Sequence, residues 1–197
     1  MSDELILASL SPFRVQLIKN AGLVVKAEGA RIDEREIERK SGTLSPEKLA
    51  VRLAQEKSRE VSSRFPHALV IGCDQTLELE GRILHKPVDM EDAYRRLLEL
   101  SGKVHYLHSG IALFKKGDQI WSHIATANMT VRLLDPQFVG YHLARVGTDI
   151  LASVGAYQIE GEGIQLFEKI EGDYFTIVGL PLLALLAEFR KLGVIDG

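Results

Sequence analysis

Asp74 is the first residue whose placement asks for a chemical reason, because it directly follows the apolar run Leu69-Val70-Ile71-Gly72-Cys73. Such a run reads as a buried strand, and open α/β sheets bind ligands beyond the carboxyl ends of their strands. The plainer alternative is a turn or capping aspartate. Lys57 is the second such residue. It shares a helical face with Ala50, Ala54 and Val61, since residues three and four apart stack along a helix. A lysine in that stripe either runs its stem past the core edge into water or turns its ammonium into a site. Arg14 falls in the first turn of a helix, where the dipole disfavours a cation. An anion docking at the same helix start would offset that, and a solvated arginine would need no anion. Asp33-Glu34 lies in a polar segment. Acidic pairs are commonly just solvated, but magnesium takes hard oxygen ligands and keeps several waters, so a carboxylate here is a candidate ligand. Lys86, before Pro87, is by itself an ordinary surface lysine.

Other chemistries lack their residues. The sequence has no GxxxxGK[ST] loop, no GxSxG elbow and no HExxH pair. Gly161-Glu162-Gly163 does not complete a dinucleotide fingerprint. His105 and His108, three apart, fall on opposite faces of a strand and read as structural, which argues against zinc. Cys73 sits in an apolar context that raises a thiol pKa, so it does not read as a nucleophile.

Interleaved strand and helix signals place these residues in an α/β architecture. Leu5-Ile6-Leu7-Ala8 reads as a buried strand, and Ser11-Pro12 as an N-cap with proline at the first helical position. Leu23 to Ala27 is a second strand candidate. Arg31 to Lys40 reads as a solvated loop or short helix. Ser45-Pro46 opens a longer helix, and Ala68 to Cys73 reads as a strand ending at Asp74. Leu77 and Leu79 alternate with Glu78 and Glu80 ahead of a turn at Gly81. Asp89 caps an amphipathic helix that stops at Ser101-Gly102. Lys103 to Phe114 and Ile120 to Leu133 form a long hairpin around Lys115-Lys116-Gly117-Asp118. Asp135-Pro136 begins a helix to about Ala144, and residues 155 to 163 form a glycine-rich loop. Gln165 to Ile170 and Tyr174 to Val178 are strand candidates, and Pro181 opens the final helix. No linker marks a boundary, so residues 1–197 are taken as one domain, with a two-lobed split near Ser101-Gly102 as the alternative.

The bulk properties narrow the function. The 197 residues are 46% hydrophobic and 26% charged, with a formal net charge of -3, an ordinary globular balance. No global basic field is present to hold a nucleic-acid polymer. A single cysteine excludes an internal disulfide framework and fits a cytoplasmic setting. The run from Val178 to Ala187 falls short of the roughly 20 residues a membrane span needs.

In order along the chain, these features resemble the Maf family. Leu5-Ile6-Leu7-Ala8-Ser9-Leu10-Ser11-Pro12-Phe13-Arg14 is similar to its opening strand and Ser-x-Ser-Pro-x-Arg turn. Asp33-Glu34 matches its acidic pair, Leu53-Ala54-x-x-Lys57 its helix lysine, Ile71-Gly72-Cys73-Asp74-Gln75 its strand-end aspartate, and Lys86-Pro87 the following lysine. Leu100-Ser101-Gly102-Lys103-x-His105, Gly155-Ala156-Tyr157-Gln158-Ile159-Glu160-Gly161 and Val178-Gly179-Leu180-Pro181 continue the pattern. The resemblance implies a mixed central sheet flanked by helices, similar to inosine-triphosphatase-like folds, in two lobes around a cleft. It implies hydrolysis of a nucleoside triphosphate to a monophosphate and pyrophosphate, and it is compatible with a homodimer. By that resemblance Asp74 is the general base, and Glu34 with Asp74 holds a divalent metal, Mg or Mn. Arg14, Lys57 and Lys86 neutralise the triphosphate, and Ser9 contacts phosphate.

Phe13, Gln75 and Glu160 stand where members of the family differ by base preference. The branch acting on dTTP and UTP usually has Arg, Thr and Gln there, and the branch acting on 7-methyl-GTP usually has Trp, Gln and Glu. Phe13-Gln75-Glu160 is nearer the second. The chemistry agrees, because methylated guanine is cationic and an aromatic face attracts a cation by about 0.5–2 kcal/mol. A carboxylate also accepts two hydrogen bonds from guanine's ring N–H and amino group. Phenylalanine is a weaker cation–π platform than tryptophan. Two alternatives stand beside this: a dTTP/UTP or broad-specificity pyrophosphatase, and a non-catalytic nucleotide-binding regulator of cell division.

Overall fold

Strand β3, Leu69–Leu79, is the element on which the rest is arranged. The computed structural model describes residues 4–42 and 44–196. Before β3 come β1 (Leu5–Leu7), α1 (Pro12–Asn20), β2 (Lys26–Ala27), α2 (Glu34–Ser41) and α3 (Pro46–Arg64). After it come β4 (Arg82–Leu84), α4 (Met90–Leu100), β5 (Val104–Lys115), β6 (Asp118–Val131) and α5 (Pro136–Val146). Two 3₁₀ segments (Gly147–Ala152 and Glu162–Leu166), β7 (Phe167–Glu171), α6 (Tyr174–Val178) and α7 (Leu182–Lys191) complete the chain. The seven-stranded sheet has the order β2-β1-β3-β5-β6-β7, with β4 paired to β3. β1 runs parallel to β2 and β3, while β4 and β7 pair antiparallel with β3 and β6. This is the mixed, helix-flanked α/β fold expected.

The chain resolves into two compact units. The first takes in the described residues up to Gln75, His108–Thr126 and the described residues from Asp173 onward. The second takes in Thr76–Leu107 and Ala127–Gly172. The division cuts through β3, β5 and β6 and does not fall at Ser101-Gly102. Among the described residues no helix is long and apolar enough to cross a membrane.

In the first unit, strand alternation sorts two faces. Leu69, Ile71 and Cys73 pack with Leu17, Ile18, Leu185 and Phe189 in one buried cluster. Val70 joins Ile6 and Val61 in another, and Ala112 and Phe114 of β5 meet Ala54 of α3. α3 therefore covers the face opposite α1 and α7. Two glycines set how closely it lies. A Cβ on Gly72 would stand 2.0 Å from Ser58 Oγ and 2.2 Å from the Ala54 carbonyl oxygen, and one on Gly110 would stand 2.5 Å from the Ala50 carbonyl. In the second unit α4, α5 and the first 3₁₀ segment pack together.

Several elements differ from the sequence expectations. β3 does not stop at Asp74 but continues to Leu79, because Leu77–Leu79 find an antiparallel partner in Leu84–Arg82. The turn between them is Glu80-Gly81, both at positive φ, the geometry of a two-residue hairpin. The β5–β6 hairpin likewise turns on Lys116-Gly117 alone. The Leu23–Ala27 strand shrinks to Lys26–Ala27. Tyr174–Val178 is a helix and not a strand. The Asp173 carboxylate accepts from the Thr176 N–H and hydroxyl, and Gly179 ends the helix in the left-handed region. These end signals outweigh the β-preference of Tyr, Phe, Thr, Ile and Val. Arg31 to Lys40 resolves into α2, capped by Asp33 and laced by Lys40–Glu36 and Arg35–Glu38 pairs.

Candidate active site

The same alternation that buries Val70 under α3 turns Asp74 toward α3, since the two share parity along β3. β1 pairs only as far as Ile71, so Asp74 lies just past the end of its parallel neighbour although it is inside a strand. On α3, Lys57 precedes Ser58, the residue pressed against Gly72. That close approach delivers the lysine to the aspartate. Lys57 Nζ donates to Asp74 Oδ1 at 2.5 Å and lies 2.8 Å from Glu34 Oε1. Glu34 is the first residue of α2, and α2 packs on α3.

Asp74 is only 7% exposed, and burial pushes its carboxyl above the ordinary aspartate range, with the Lys57 and Arg14 cations opposing. Burial alone would lower the Lys57 ammonium. The carboxylates of Asp74 and Glu34 outweigh it and hold the lysine above its usual value. The pair is therefore an ammonium between two carboxylates, with one of those a buried base of raised proton affinity. Stripping a partner from such a pair costs about 3–5 kcal/mol when it leaves a buried charge uncompensated.

Arg14 completes the cluster. Its Nη1 donates to the Cys73 carbonyl at 3.0 Å and to Ser9 Oγ at 3.5 Å. Ser9 Oγ also accepts from the Ser11 N–H at 3.3 Å. A Cβ on Gly179 would stand 3.1 Å from Arg14 Nε and Nη2, so the glycine keeps room for the guanidinium. Ser11 makes no side-chain cap bond to α1. Cys73 itself is fully buried, and burial raises its thiol, in keeping with an inert role.

The first unit thus brings together Ser9, Arg14, Glu34, Lys57 and Asp74. Phe13 is half-buried on α1. Gln75 is tied to protein partners, its amide nitrogen donating to Ser109 Oγ and to the carbonyls of Thr176 and Ile177, each at 3.0 Å. Ser109 Oγ in turn donates to the Thr176 carbonyl at 2.8 Å. Lys86 and Glu160 belong to the second unit and are exposed, one after β4 and the other in the loop before the second 3₁₀ segment. His105 and His108 are both buried and hydrogen-bonded, to Tyr157 and Thr126 respectively. Ser58, Gly72 and Gly110 carry the geometry of the site without having been singled out. Their signal was available, because a glycine inside a strand marks close approach of another backbone.

The family model for Maf-like protein matches residues 4–192. The chain belongs to the Maf family. This Maf chain is 60% identical to a 7-methyl-GTP pyrophosphatase of Mesorhizobium japonicum over 199 aligned positions, covering 100% of both chains. It is 57% identical to a 7-methyl-GTP pyrophosphatase of Bartonella henselae, again over 100% of each. Among solved structures, a nucleoside-triphosphatase (dITP/XTP pyrophosphatase) of Mycobacterium abscessus aligns with this Maf chain over 98% of each at 13% identity, with a TM-score of 0.44.

Proposed function

We propose that the protein hydrolyses a nucleoside triphosphate to the monophosphate and pyrophosphate, with 7-methyl-GTP as the favoured substrate. The observation that carries this is the convergence of Asp74, Lys57, Glu34 and Arg14 in one cluster of the first unit. Attack of water at phosphorus needs a positioned nucleophile and compensation of negative charge spreading over the phosphoryl oxygens. Asp74 takes the proton from the attacking water, a task for which its burial-raised proton affinity suits it. Arg14 and Lys57 bind phosphate oxygens and Ser9 contributes its hydroxyl, and the family resemblance makes Lys86 a further cation for the triphosphate.

Two carboxylates that already meet at one positive centre, the Lys57 ammonium, also suit a divalent cation. Glu34 and Asp74 would hold Mg or Mn, which when bound supplies Lewis-acid polarisation of phosphate oxygens. On the base side, Phe13 offers an aromatic face to the cationic methylated guanine. Glu160 accepts from its ring N–H and amino group, and Gln75 acts from a fixed position. Full-length relatives named 7-methyl-GTP pyrophosphatases support this preference.

The test is pyrophosphate release with magnesium or manganese from 7-methyl-GTP, GTP, dTTP, UTP and CTP, in the wild type and in Glu160→Gln. The expected result is a preference for 7-methyl-GTP that Glu160→Gln weakens by roughly tenfold, the value of one charge-assisted hydrogen bond. Preference for dTTP would overturn the base assignment. Nucleotide binding without pyrophosphate release would overturn the activity in favour of a regulator.

A further inference from the structure

The second unit contains a buried arginine that the proposed chemistry does not use. Arg96 of α4 is 9% exposed. Its Nη1 donates to two main-chain carbonyls, His85 O at 2.7 Å and Val154 O at 2.8 Å, which accounts for both hydrogens on that nitrogen. Its buried Nε has no hydrogen-bond partner among the described residues, and Glu99 Oε2 lies 3.9 Å from it. Burial lowers the guanidinium's pKa against the pull of Asp92 and Glu99. A desolvated cation that rests mainly on backbone carbonyls is a costly way to fill a core. What the buried guanidinium contributes in return is its pair of hydrogen bonds.

The two carbonyls are 69 positions apart in sequence, and each adjoins a segment given a role above. His85 immediately precedes Lys86. Pro87, which follows and is buried, restricts Lys86 to extended backbone. The Val88 N–H then bonds Asp92 Oδ2 at 3.1 Å, in the first turn of α4. Val154 opens the loop that carries Glu160. Beyond it Ala156 is held at φ 59, a conformation that alanine rarely adopts. Tyr157 is buried with its hydroxyl 2.6 Å from His105 Nε2, and Gln158 Nε2 donates to the Asp149 carbonyl at 3.2 Å. Helix α4 is thus the base on which both segments hang, and Arg96 touches both.

We propose that Arg96 is a positioning residue that ties the Lys86 segment and the Glu160 loop to α4, so that polyphosphate affinity and base choice depend together on one guanidinium. This rests on the roles given above to Lys86 and Glu160. A planar fork with two fixed donors is what the task needs, and lysine at the same place reaches one carbonyl in good geometry but not both.

The experiment uses the full chain as Arg96→Lys and Arg96→Ala, with melting curves, steady-state kinetics on 7-methyl-GTP and GTP, and amide hydrogen exchange. In Arg96→Ala, kcat for 7-methyl-GTP stays within about threefold of wild type while KM rises roughly tenfold, the pattern of lost binding rather than lost chemistry. The preference for 7-methyl-GTP over GTP falls by roughly tenfold, and Arg96→Lys lies between. Exchange quickens together in segments 85–88 and 154–160. Unchanged KM and unchanged preference in a folded variant would overturn the proposal, as would faster exchange in only one segment. Failure of both variants to fold would make Arg96 a core residue and overturn it equally. Failure of the hydrolytic reading appears elsewhere, as wild-type protein that releases no pyrophosphate from either nucleotide.

Discussion

The two units put buried charge to different uses. In the first, Lys57 is shared between Asp74 and Glu34, so cation and carboxylates compensate one another. In the second, Arg96 donates to the carbonyls of His85 and Val154 and makes its closest contacts with main chain. Charge paired with charge can be handed to an incoming phosphate or metal, because the partners are side chains that can exchange. A guanidinium whose close hydrogen bonds all go to main chain, as those of Arg96 do, fixes the chain and has little to hand over. Substitution within the Lys57–Asp74 cluster should therefore alter turnover, and substitution of Arg96 should alter binding and stability while turnover holds.

The largest effect expected is that of Asp74→Asn. It removes the proton acceptor but leaves the shape, and Lys57 keeps Glu34 as its partner. Hydrolysis should fall by about 10²–10⁴-fold, the usual contribution of a general base, with circular dichroism and melting close to wild type. Near-normal turnover would remove Asp74 from the chemistry and erase the contrast. Gly72→Ala comes next and acts on the same cluster through packing alone. The added methyl would meet Ser58 Oγ at 2.0 Å and the Ala54 carbonyl at 2.2 Å, and helix backbone cannot yield as a flexible side chain would. Overpacking of this kind costs about 1–3 kcal/mol, read by denaturant unfolding. Because α3 must retreat from β3, kcat should fall as well. Lost stability with kcat preserved would show that the Lys57–Asp74 contact does not depend on that close approach.

Much of the first unit was legible in the sequence. The apolar run into Asp74, the helical stripe holding Lys57 and the helix start at Ser45-Pro46 are local signals, and the structure keeps each, although Ser45 makes no side-chain cap bond. The continuation of β3 past Asp74 was not legible as one strand, since it depends on a partner, Arg82–Leu84, that pairs only after the chain turns back. Tyr174–Val178 misled because five residues of high β-propensity carry little weight against a capping aspartate and a terminating glycine. In the second unit nothing in the sequence sets Arg96 apart from the other charges of α4. Its burial follows from carbonyls 11 and 58 residues distant, and no periodicity encodes such contacts.

The smallest expected effect on turnover comes with a test of whether the second unit also carries a pH dependence separate from Asp74. His105 is fully buried against Tyr157 and Phe167, with Nδ1 unpartnered among the described residues. Burial lowers its pKa from 6.5 to about 3. In the unfolded chain the ring takes up a proton below about pH 6.5, and in the folded protein it does not until about pH 3. The stabilisation it allows is thus complete above pH 6.5 and is lost progressively as pH falls from there toward 3. One such proton makes stability fall by about 1.4 kcal/mol per pH unit in that window. His105→Gln keeps a polar side chain for Tyr157 but cannot titrate. Denaturant unfolding at pH 7.0, 6.0, 5.0 and 4.0 should give the wild type a slope steeper than the variant's by up to that amount. The kcat profile should be the same in the two proteins, because His105 lies outside the cluster around Asp74. Equal slopes in the two proteins would mean that His105 takes up its proton at the same pH in the folded as in the unfolded chain. The buried ring would then not be held neutral by its surroundings, and the pH dependence assigned to the second unit would fall.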